Sequence, residues 1–100
     1  MASRSGSLEN GPEISIRYQG YLATLAGCDV EAVQPRVGLT VTGLLRHLAG
    51  RAPETPLGRH LFDRQGRLTV LVTIGGRLAG PEDAVSAGAE VCLILPAAGG

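Results

Sequence analysis

The residues best suited to chemistry are the last ones, Leu95-Pro96-Ala97-Ala98-Gly99-Gly100. Pro96 has no backbone donor and so ends any strand that runs into it. Five extended residues then reach ~17 Å beyond the folded body. Ala97, Ala98, Gly99 and Gly100 carry almost no side chain, and glycine admits a backbone approach that any Cβ would block. Pro96, Ala97, Ala98 and Gly99 are therefore expected to thread a narrow channel in a partner protein. Gly100 is expected to be the reacting residue, its carboxylate presented away from the fold. A frayed terminus is the alternative reading of the same residues.

No other group competes strongly. Cys28 and Cys92 stand far apart, without a CxxC motif, and His47 and His60 form no ligand cluster with them. No metal site is expected. Cys92 reads as an inert small hydrophobe in mid-strand. Glu82-Asp83 after Pro81 reads as a helix start. Gly75-Gly76 is no phosphate cradle, because neither a lysine nor P-loop spacing follows. All nine cations are arginines and none is lysine. That removes Schiff-base chemistry and any lysine-linked chain of the protein upon itself. Nine acidic residues balance them. A neutral chain without a basic stripe is a poor nucleic-acid binder. No apolar run approaches the ~20 residues of a membrane span. The start lacks the apolar stretch of a signal peptide, so the expected location is cytoplasmic.

The 100 residues make one small domain. With only Tyr18, Tyr21 and Phe62 as aromatics, its core must come from Leu, Val, Ile and Ala. Residues 1–13 read as a disordered extension, or as the product of an upstream start codon. Residues 14–95 form the domain and residues 96–100 the flexible tail. Ile14-Ser15-Ile16-Arg17-Tyr18 alternates strictly and predicts a strand with Ile14, Ile16 and Tyr18 inward. Gly20 to Gly27 is ambiguous, with one helical turn around Tyr21, Leu22 and Leu25 as one option. Cys28 to Gln34 suits a second strand paired with the first. Val41, Leu44, Leu45 and Leu48 make one helical stripe over about Val41 to Arg51. Thr40 caps it, Gly43 weakens it and Pro53 closes it. Thr55-Pro56 opens a short helix through Leu61, and Asp63 to Gly66 turn. Leu68 to Ile74 reads as a strand with Leu68, Val70, Val72 and Ile74 inward. A Gly75-Gly76 hairpin turn and a short return strand follow. Val91 to Leu95 is apolar on both faces, as in a central strand. This order predicts an α+β fold with a mixed sheet and one main helix on one face. The first and last strands can lie parallel at the centre, which is the β-grasp, or ubiquitin-like, layout.

Gly88-Ala89-Glu90-Val91-Cys92-Leu93-Ile94-Leu95-Pro96-Ala97-Ala98-Gly99-Gly100 resembles the C-terminus of the MoaD/ThiS family of ubiquitin-like sulfur carriers. Gly38-Leu39-Thr40-Val41 through Leu48 is similar to that family's helix start, and Val70 to Gly76 to its V-x-V-N-G segment. Ala89 stands in place of the usual aspartate, Leu95-Pro96 in place of Pro-Pro, and Gly75 in place of asparagine. The resemblance implies a protein co-substrate rather than an enzyme, with no tightly bound cofactor. An E1-like adenylyltransferase would use ATP and Mg²⁺ to adenylate Gly100. A sulfurtransferase or other persulfide donor would convert it to a thiocarboxylate. A sulfur-accepting synthase subunit would receive the sulfur, in molybdopterin biosynthesis or in a cysteine-biosynthesis pathway. The chain could itself be the small subunit of such a synthase.

If Val91 and Leu93 face the helix, Cys92 and Ile94 face outward with Leu71 beside them. Such a patch next to the tail reads as the partner-binding face, or else as a second minor core under the Gly20 to Gly27 loop. Two other functions fit the same residues. One is a ubiquitin-like modifier conjugated through Gly100 to lysines of other proteins. The other is a β-grasp interaction module whose tail is incidental.

Overall fold

The computed structural model describes residues 12–51 and 57–96, Arg51 by its backbone alone. The expectations for the leading extension, for Pro53, for the Thr55-Pro56 cap and for Ala97 to Gly100 lie outside the described residues. Eight elements follow one another: β1 (Ile14–Tyr18), α1 (Tyr21–Ala26), β2 (Val30–Val33), α2 (Val41–Arg51), α3 (Leu57–Leu61), β3 (Leu71–Ile74), β4 (Arg77–Ala79) and β5 (Glu90–Ile94). The strands form one sheet in the order β2-β1-β5-β3-β4. β1 and β5 run parallel at its centre, and every other neighbouring pair is antiparallel. The β-grasp layout is thus present.

The alternation in β1 places Ile14, Ile16 and Tyr18 in the core, and Val91 and Leu93 of β5 join them. From the other side come Val41, Leu44, Leu45 and Leu48 of α2, all fully buried. The ambiguous segment after Gly20 is a helix, stopped by Gly27 in the left-handed conformation. Its Leu22 and Leu25 join the same single cluster, so among the described residues the buried side chains form one core. Gly75 and Gly76 both have positive φ, as the tight β3–β4 hairpin demands.

Four readings need correction. The second strand, expected over Cys28 to Gln34, runs only from Val30 to Val33. The strand expected from Leu68 begins only at Leu71. Upstream, Leu68 forms an isolated bridge with Phe62, and the Thr69 amide donates to the Leu61 carbonyl. Leu68 and Thr69 are thus tied to the end of α3 rather than to the sheet. Leu68 and Ile74 are half-buried, whereas Val70 and Val72 are buried as expected. The final strand ends at Ile94, one residue before the expected Leu95.

Glu82-Asp83 starts no helix of its own. Its segment instead closes the N-terminus of α2. The Val41 amide donates to the Asp83 carbonyl at 3.0 Å, and the Thr42 amide to the Pro81 carbonyl at 2.9 Å. The Thr40 hydroxyl accepts from the Gly43 amide at 3.1 Å, as expected of a cap. The first three otherwise unpaired donors of the helix are all satisfied. Val85, an isolated apolar residue in this loop, is buried beneath it.

Candidate functional site

The candidate site is the point where the chain leaves the sheet, together with the sheet face beside it. β5 is held on both sides, by β1 and by β3. The Gln19 amide donates to the Leu93 carbonyl at 3.1 Å and extends the β1 side by one bond. Leu95 is half-buried against the core, and Pro96 is exposed. The departure point of the tail is therefore fixed by packing up to Leu95, and solvent begins at Pro96. Ala97, Ala98, Gly99 and Gly100 lie beyond the described residues.

Helices cover one face of the sheet and leave the other open. One rung crosses all five strands on the open face. Val30 lies opposite Arg17, Arg17 opposite Cys92, Cys92 opposite Thr73, and Thr73 opposite Leu78. The next rung toward the tail pairs Leu71 with Ile94. Leu71 is 44% exposed, Val30 43% and Leu78 71%. Cys92 and Ile94 are half-buried. The sequence-predicted trio Leu71, Cys92 and Ile94 therefore shares one face, two residues from the start of the tail. Alternation places it there, because Val91 and Leu93 take the inward positions.

Two members of this face were not anticipated. Leu78 and Val30 widen the apolar area to both sheet edges, and only the strand order could reveal that. Arg17 is the one cation in the rung and neighbours Cys92 across strands. A reading confined to neighbours in sequence gives Cys92 no cation at all. The Gln19 side chain donates to Cys92 Sγ at 3.4 Å.

The remaining candidates separate. Neither Cys28 nor Cys92 is in a disulfide, and the Cys28 thiol lies 3.7 Å from a Glu31 carboxylate oxygen. His60 packs edge-on against Tyr21, with ring centroids 5.8 Å apart. His47 lies on α2, on the far side of the sheet from the open face. Among the described residues no group of three or more His, Cys, Asp or Glu could hold a metal ion. Nor is any helix among them long and apolar enough to cross a membrane. The described residues offer a fixed exit of the chain at Pro96 beside a mostly apolar platform.

No family model and no curated protein matches the chain in sequence. Solved structures do match. Small archaeal modifier protein 1 of Haloferax volcanii is 28% identical with a TM-score of 0.77, over 87% of this chain and all of that one. A Pyrococcus furiosus protein described as molybdopterin converting factor subunit 1 is 20% identical with a TM-score of 0.70, over 87% of this chain and all of that one. Urm1 of Trypanosoma brucei is 22% identical with a TM-score of 0.70, over 91% of this chain and 98% of that one. At their identities the last two bear on the fold. With β1 and β5 parallel at the sheet centre, α2 across one face and these neighbours, the chain has the ubiquitin-like β-grasp fold.

Proposed function

We propose that the chain is a carrier activated at the carboxyl group of Gly100, with a thiocarboxylate as its charged form. The observation that carries this reading is the anchoring of β5 through Leu95, followed by a sequence of small residues and a glycine pair beside an open apolar face. A carboxylate is a poor electrophile, because its oxygen is a bad leaving group. Attack of a Gly100 oxygen on the α-phosphorus of ATP, with Mg²⁺ on the activating enzyme, releases pyrophosphate and leaves an acyl adenylate. Sulfide attacking that carbonyl expels AMP and gives the thiocarboxylate. A persulfide donor gives an acyl disulfide first. A second thiol then cleaves it, releasing the thiocarboxylate and becoming a disulfide. The chain supplies the substrate atom and the docking face, and the E1-like enzyme supplies the catalysis. A synthase subunit in the cytoplasm then takes the sulfur, with molybdopterin and cysteine-type pathways as the two candidate destinations.

The second reading is conjugation through Gly100 to lysines of other proteins. The 28% identity to a small archaeal modifier protein favours it. Both fates share the acyl adenylate, so one experiment separates them. The protein is purified from its host, its intact mass is measured, and its terminal peptide is fragmented. Sulfur in place of one oxygen at Gly100, captured by a thiol-alkylating reagent, is the expected result. Branched peptides ending in Gly99-Gly100 on other proteins would establish the modifier. A plain carboxylate that no host E1-like enzyme charges, together with no branched peptides, would overturn both and favour the interaction module.

A further inference from the structure

Alternation leaves two charged strand residues on the open face, Arg17 of β1 and Glu90 of β5. Ser15 lies opposite Glu90 and Arg17 opposite Cys92, so the two charges are diagonal neighbours on adjacent strands. Both are exposed, and neither makes an ion pair with a described residue. They line one shallow hollow together with Ser15, Thr73 and Cys92. The other strand positions on this face are apolar or carry a hydroxyl or a thiol. β5 is the middle strand of the five, with Val30 exposed at one edge of the sheet and Leu78 at the other. Apolar side chains at both edges, with opposite charges near the middle, make this face complementary to itself.

We infer that the open face receives a second copy of this chain, in a transient two-fold dimer with its axis along β5. The same patch then serves on both copies. The order β2-β1-β5-β3-β4 lies against β4-β3-β5-β1-β2, with the two sheets aligned face to face. Val30 of each copy meets Leu78 of the other, Arg17 meets Thr73, and Cys92 lies near its own counterpart. Each Glu90 is diagonal to the Arg17 of both copies, so two cations and two anions form one neutral cluster. An axis across the strands would instead set Arg17 against Arg17, a juxtaposition that like charge disfavours. Five strands ~4.8 Å apart make a face only about 20 Å wide. An area of that size suits a transient complex rather than a permanent one. The dimer also covers Leu71 and Ile94, so an activating enzyme that docks there would have to displace the second copy. That consequence rests on the proposed carrier function, whereas the dimer itself does not.

The test is sedimentation equilibrium and amide NMR on the full chain over a dilution series at low salt. Dimerisation is expected with a Kd between about 0.1 and 1 mM, and dilution is expected to shift the amides of Arg17, Val30, Thr73, Leu78 and Cys92. Arg17→Glu and Glu90→Arg are each expected to weaken association at least ~10-fold, with the thermal midpoint unchanged. Mixed in equal amounts, these two variants are expected to associate at least as tightly as the wild type, because one face is then acidic and the other basic. Arg36→Glu, exposed in the loop after β2, alters net charge as Arg17→Glu does and is expected to leave association unchanged. In a Cys28→Ser background, a short bismaleimide is expected to join Cys92 to Cys92 of the second copy. A protein still monomeric at about 2 mM, or a variant mixture that stays monomeric, would overturn the inference. Dilution shifts confined to β2 or β4 would overturn it too, assigning the contact to edge pairing, as would a dimer in which Cys92 is not joined. None of these outcomes depends on whether Gly100 is charged.

Discussion

Leu71 and Ile94 face each other across β3 and β5, on the rung next to the tail. Under the proposed function, these exposed apolar side chains are where the activating partner grips. Leu71→Arg places a charge in that contact. Leu71 is 44% exposed, so the substitution should change folding stability by no more than about 1 kcal/mol. It should lower kcat/KM for adenylation by the activating enzyme at least ~10-fold, equivalent to ~1.4 kcal/mol of lost complementarity. Pyrophosphate release assayed against purified variant protein checks it, and an unchanged rate would remove the open face from recognition. Deleting Gly99 and Gly100 should abolish charging and leave the thermal unfolding midpoint where it was, because Leu95 is the last core contact among the described residues. A shifted midpoint would mean that the glycines serve the fold. Cys92 illustrates how the residue scale depends on the larger ones. Its neighbours in sequence are apolar or acidic, and its cation, Arg17, lies on another strand 75 positions away.

At the scale of elements, α2 was the most legible piece. Its bounds, its buried stripe and the Thr40 cap all follow from spacing and residue type. Two substitutions weigh those local terms. Thr40→Ala removes the acceptor for the Gly43 amide and should cost ~1 kcal/mol. Gly43→Ala should stabilise by up to ~1 kcal/mol, because an added Cβ meets Leu39 and Thr40 only at an ordinary 3.5 Å. Urea denaturation of both variants checks the pair, and destabilisation by Gly43→Ala would show that the close neighbours cannot give. What spacing could not reveal was that Pro81 and Asp83 carbonyls complete the same helix end. Carbonyls are common to every residue, so nothing in the types of Pro81 or Asp83 marks that role. Val85 was missed for a related reason, since one valine in a loop of small and polar residues carries no period. The overlong reading of β3 has the opposite cause. Leu68 and Val70 continue the alternation of Val72 and Ile74, and a period cannot tell a ladder from a single bridge to Phe62.

For the whole molecule, strand types and their order were legible, and with them the central placement of β5. The open face was only partly legible. Leu71, Cys92 and Ile94 follow from the inward positions of Val91 and Leu93, but Val30 and Leu78 join them through pairings across the full sheet. Leu93 is fully buried on the strand that contacts both halves. Leu93→Ala should cost about 2–5 kcal/mol, a large share of the stability available to a domain of this size. Loss of the cooperative unfolding transition, or a midpoint lowered by well over ten degrees, is the expected readout. A shift of one or two degrees would mean that the core collapses around the gap. The parallel pairing of β1 with β5 has a further, mechanical consequence. The outer end of β1 and the departing end of β5 lie at opposite ends of the pair. Tension between the leading segment and the tail therefore acts along the strands, and it loads their hydrogen bonds together instead of peeling them one at a time. A machine that pulls on Gly100 loads this pair in shear, while one that grips the β4 hairpin can unzip the sheet from its shortest strand.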